Sequence, residues 1–171
     1  MEDPDLSARK HLAGSDPAFP ARREEAWGRI VAALDAVLAP EGYALSGTTW
    51  SLVSAQGKSA VHLQRDRYGW DVRIVLRFIT PQGEVPDHPD WPGGEDVTLA
   101  EFFERAEGDP GTLAFVDVLE RPDCLDLAVE ILREQVLPWF EALHQGQPPR
   151  TLSGASRTTR GPGSSPGRGF L

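Results

Sequence analysis

Between His62 and Phe78 the chain largely separates two kinds of side chain. Trp70, Val72, Ile74, Leu76 and Phe78 fall on one parity, and Asp71, Arg73 and Arg77 on the other. A period of two is that of a β-strand with one buried and one polar face. Just upstream, Val61 and Leu63 alternate with His62 and Gln64. The two runs predict a hairpin turning at Tyr68-Gly69, with Arg67 opposite Trp70 and Leu63 opposite Ile74. A register shifted by two would keep the same faces together.

The pattern before and after the hairpin is helical. Trp27, Ile30, Val31, Leu34, Val37 and Leu38 recur at three- and four-residue steps, which predicts a helix from Arg22, opened by Pro20 and stopped by "APEG" at 39–42. "YALSGTTWSLVS" then offers one or two short strands broken near Gly47. Residues 80–97 hold four prolines and three glycines and read as a long loop. Thr98 and Glu101 form a capping box for a short helix ending at Gly108. "GTLAFVDVLE" at 111–120 suits strand and helix equally. Leu125, Val129, Leu132, Val136, Phe140 and Leu143 share the face of a last helix, which Pro138 should kink or split.

This order predicts an α+β fold: an antiparallel hairpin or meander of three to five strands with helices packed on one face. Residues 1–19 lack periodicity and read as a flexible leader. Residues 20–145 form the single domain, and the Gly, Ser, Pro and Arg of residues 146–171 read as a disordered tail.

The layout also has a likeness. Leu38, Pro40, Gly42 and Tyr43 in "LDAVLAPEGYALSGTTW", then Leu63-Gln64 before "RDRYGW", are followed late by "VLPWFEAL" with Pro138 and Trp139. Over about residues 24–144 this resembles the bacterial domain-of-unknown-function 4304 family. One departure is that the strand after the turn runs into Arg77-Phe78, where such sequences run toward a glycine. The resemblance implies the fold and no assigned chemistry.

Charge changes the picture next. The chain of 171 residues carries −9, unevenly spread. Residues 1–145 hold all 26 acids against 13 Lys and Arg, a net −13, while Arg150, Arg157, Arg160 and Arg168 make the tail +4. So acidic a body opposes nucleic acid and anionic membrane and favours a basic protein partner. Oligomeric state is not readable. The N-terminus lacks a signal-peptide layout and no apolar run nears the roughly 20 residues of a membrane span, so the expected location is cytoplasmic.

Candidate chemistry is sparse. Asp87, His88 and Asp90 are the best set of metal ligands, with Glu84, Glu95 and Asp96 nearby. Their spacing matches neither a calcium loop nor a zinc helix, so a plain turn is the preferred reading. Cys124 reads as a structural thiol on an apolar helix face, although a helix start can activate a thiol. His62 and His88 are the candidate bases, and no spacing ties either to Cys124. Gly93-Gly94 precedes a helix as a phosphate loop would, but Glu95 and Asp96 would repel the anion. No catalytic set and no cofactor fingerprint emerges.

The expected working surface is therefore the polar hairpin face, His62, Gln64, Asp71, Arg73 and Arg77, with Trp91 of the long loop as an anchor. The function this predicts is a non-enzymatic protein-interaction or ligand-binding module, one form being an immunity-type protein that captures a basic toxin. The alternative is a small hydrolase or metal-dependent enzyme using the His88 loop or Cys124.

Overall fold

The computed structural model describes residues 4–88, 91, 93–99 and 111–148. The expected tail from 149 onward, Asp90, and the body of the helix expected after Thr98 lie outside the described residues. The fold is α+β. Helices α1 (Pro4–Gly14) and α2 (Phe19–Leu38) precede strands β1 (Ala44–Ser46), β2 (Thr49–Ser54), β3 (Gly57–Arg65) and β4 (Asp71–Ile79). Short strands β5 (Val97–Thr98) and β6 (Thr112–Ala114) follow, then α3 (Phe115–Glu120), α4 (Asp123–Ile131) and α5 (Leu137–His144). The ambiguous 111–120 segment is thus both things, a strand that runs straight into a helix.

The sheet is antiparallel in the order β1-β2-β3-β4-β5, and β6 shares the outer edge of β4 with β5. Leu63 pairs with Ile74, as the alternation predicts. The turn is wider than expected, however. Asp66 organises it: the Asp66 N–H donates to the Asp71 carbonyl, and its carboxylate accepts from the N–H groups of Trp70 and Asp71 at 2.7 and 3.1 Å. Pairing along the ladder stops at Arg65 and Val72, so Arg67 does not face Trp70 across a strand pair.

One face of this sheet is buried under helices. Val61, Leu63, Val72, Ile74, Leu76 and Phe78 meet Ile30, Leu34 and Leu38 of α2 and Ala128, Ile131 and Phe140 of the C-terminal helices. Each large side chain buried this way contributes about 1.5–3 kcal/mol, which is why the alternation decides the register. Trp50 is fully buried too, and its indole N–H donates to Asp35 of α2 at 2.9 Å. Pro138 has the expected effect in an unexpected form. The helix is continuous through a π-type turn at Leu132–Val136, which absorbs the missing N–H immediately before the proline. Among the described residues no helix is long and apolar enough to cross a membrane.

The expected leader needs correction. Residues 4–14 form α1, which buries none of its own side chains. Charge and a small apolar contact hold it in place: Arg9 pairs with Asp117 and Glu120 of α3, Lys10 reaches Asp71 at 2.9 Å, and Leu6 and Ala13 rest on the cluster of Phe19, Ala114 and Val116. Just beyond α1, Phe19 stacks on Trp70 with ring centroids 5.0 Å apart. Partly exposed ion pairs are worth about 0–1 kcal/mol each, so α1 is held less firmly than the helices that build the main core.

Candidate functional site

The face of the sheet turned away from the helices is laid out in rows by the strand register. Gln64 stands opposite Arg73, His62 lies between Thr49 and Val75, Ala60 lies between Ser51 and Arg77, and Lys58 lies between Val53 and Ile79. Lys58, Gln64, Arg73 and Arg77 are exposed. His62, Gln64, Arg73 and Arg77 therefore share one surface, as their parity predicts.

Two members of that surface are already engaged. The Asp71 carboxylate takes Lys10, and Arg77 gives its Nε and Nη2 to one oxygen of Asp96, at 2.8 and 2.6 Å. His62 is oriented by Thr49, whose hydroxyl lies 2.8 Å from Nδ1.

Apolar side chains break the polar pattern on this same face. Val75 is only 6% exposed, Ala60 is buried, and Ile79 is half-buried, while Val53 stands 70% exposed. With Lys58, Arg77 and Pro81 they line a concavity of about 560 Å³ that ends at Thr80 and Asp96 of the following loop. That volume lies within the range of ligand pockets, roughly 300–1,000 Å³.

Trp91 does not belong to this surface. It is 6% exposed and stacks on Trp139 of α5 with centroids 5.5 Å apart, its indole N–H donating to the Gly94 carbonyl. The ring fastens the long loop to the helical side of the sheet, so burial removes it as an anchor for a partner. His88 meets Trp139 edge-on at 5.5 Å. Among the described residues no three metal-binding side chains converge, and Asp87 and His88 belong to a loop shaped by these ring contacts.

Cys124 is half-buried at the start of α4. Burial pushes its thiol pKa up, and Asp117 and Asp123 add to the rise. That is the reverse of activation, since the thiolate is the reactive form.

A polar chain escaped the sequence reading altogether. The Tyr43 hydroxyl lies 2.8 Å from Ser59 Oγ, Ser59 Oγ lies 2.7 Å from His144 Nε2, and His144 Nδ1 lies 2.6 Å from Ser54 Oγ. Ser54 Oγ also accepts from the Gln56 N–H. His144 was thus a third histidine of residues 20–145, beside the two candidate bases. Two signals marked it. Val136, Phe140 and His144 follow at four-residue steps, and Ser59 has the buried parity of Val61 and Leu63, where a hydroxyl needs a partner.

This chain ties the end of α5 to the β2–β3 hairpin. Burial lowers the His144 pKa and pushes that of Tyr43 up to about 12. A folded-state histidine pKa below the ordinary 6.5 means that the unfolded chain takes the proton first. Stability is then full above that pH and falls as the pH drops below it. Thermal melting followed from neutral to mildly acidic pH should show this loss, and His144→Gln should reduce it; an unchanged slope in the variant would remove His144 as its cause.

With this geometry in view, comparison with known proteins adds nothing. No family model, no curated protein and no solved structure matches the chain.

Proposed function

We infer that the chain is a non-enzymatic binding module that works through the uncovered face of its sheet and takes an anionic partner there. The observation that supports this reading is the sign of the charge on that face. In a body of net −13, strands β3 and β4 present Lys58, Arg73 and Arg77 outward; Lys10 neutralises Asp71 and Asp96 pairs with Arg77, which leaves a positive excess at Lys58 and Arg73. Rigid paired strands hold these donors in fixed register, which favours recognition of carboxylates. The immunity-type reading, with a basic toxin as partner, draws on the overall acidity and would have to use another surface.

The test is a titration of the isotopically labelled full chain with a short oligoglutamate at low salt, followed by amide NMR. Shifts should concentrate on Gln64, Arg73 and Arg77 and vanish in Arg73→Glu. Shifts confined to the helical side, or a response indifferent to Arg73→Glu, would overturn the reading.

A further inference from the structure

The concavity on the open face has a composition that a solvated sheet surface does not require. A wet antiparallel face is expected to alternate away from apolar residues, yet Val53, Ala60, Val75 and Ile79 occupy its polar parity in adjacent rows. They form a continuous apolar lining, and its ionisable neighbours are Lys58, His62, Arg77 and Asp96. An apolar bed with Lys58 and the Asp96-held Arg77 beside it complements a molecule with a hydrocarbon body and a single anionic head.

We propose that this groove binds a small amphiphilic carboxylate, its head on Arg77 and Lys58 and its hydrocarbon body along Val75, Ala60 and Ile79. The inference rests on the open face being the binding surface, and deepens that reading by naming the ligand class. Charge complementarity selects the head. Asp96 uses a single oxygen to take Nε and Nη2 of Arg77, so the N–H groups of Nη1 and the outer N–H of Nη2 are not spent on it. Arginine can hold a second carboxylate by that remaining edge. Lys58 pairs across the ladder with Ile79, one row beyond Arg77, and adds a second positive charge at the same end.

Asp96 is then a competitor inside the site. Its carboxylate repels the incoming head while holding the guanidinium in place. An arrangement that served only to solvate the sheet would give Asp96 no bearing on the affinity for any acid.

The full chain, isotopically labelled, is titrated with octanoate below its micellar concentration, with octylamine and oligoglutamate as parallel arms. Octanoate should produce saturable amide shifts at Ala60, His62, Val75 and Arg77, and octylamine should not. Arg77→Gln should weaken octanoate roughly tenfold, the usual worth of a hydrogen bond to a charged group. Asp96→Asn should tighten it severalfold. Both side chains are about half exposed, so neither change threatens the fold, and circular dichroism checks that directly.

Octanoate shifts that do not saturate, that octylamine reproduces, or that survive Arg77→Gln unchanged would overturn the proposal. If oligoglutamate moves the Arg73 row while octanoate moves nothing, the amphiphile is wrong and the binding face stands. If neither probe moves any residue of the face, both readings fall.

Discussion

Trp50→Ala should bring the protein close to unfolding at room temperature. Trp50 is fully buried at the junction of β2 with α2, and its indole N–H satisfies Asp35. Emptying such a site costs about 3–5 kcal/mol, from lost burial and the cavity left behind. A domain of this size has about 5–15 kcal/mol in total. Trp50→Phe narrows the cause, because it keeps much of the volume while removing the donor and one ring of the indole, for about 1–2 kcal/mol. Urea denaturation of the three proteins measures both steps. If alanine and phenylalanine cost the same, packing is not what Trp50 supplies.

Gly57→Ala should be nearly as damaging, for a different reason. Gly57 opens β3 with φ at +149°, and a methyl group there would press into the Ile79 carbonyl and come within 2.9 Å of the Phe78 ring. The obstacle is mainly backbone, so it cannot swing aside. Strain and overpacking together give an expected loss of about 2–5 kcal/mol. Gly47 supplies the control: its φ is +62°, but nothing lies within 4 Å of an added Cβ. Gly47→Ala should lose only the conformational cost, about 1–2 kcal/mol. Equal losses at the two sites in the same denaturation experiment would show that contact with β4 is not the cause.

Much of this fold was legible because alternation and helical stripes report burial directly. Val72, Ile74, Leu76 and Phe78 had one reading, and pairing of Leu63 with Ile74 followed from it. The N-terminal helix was not legible, because it buries no side chain fully and only Leu6 and Ala13 rest on an apolar cluster. Its charged partners, Asp117 and Asp71, are carboxylates distant in sequence, and no periodicity encodes a docking made largely by charge. The site was half legible. Parity grouped His62, Gln64, Arg73 and Arg77, but Val75 and Ile79 shared that parity and were passed over because valine and isoleucine suit any strand. Trp91 was misplaced because a tryptophan among prolines and glycines reads the same way whether it faces a partner or, as here, the ring of Trp139. Cys124 shows the complementary limit, since its nearest acids include Asp117, which lies in the preceding helix.

The π-type turn before Pro138 has a consequence for evolution by insertion and deletion. Each residue of a helix advances the phase by about 100°, and a turn of this kind holds one more residue than a regular one. Loss of a single residue from 132–136 would let the segment wind regularly and leave everything after it in nearly its present phase. Trp139, Phe140 and His144 would keep their places, and with them the seat of Trp91 and the partner of Ser54 and Ser59. The same deletion in the regular turns on either side has no such slack and would rotate all three away, so this turn is where the helix can change length by one residue.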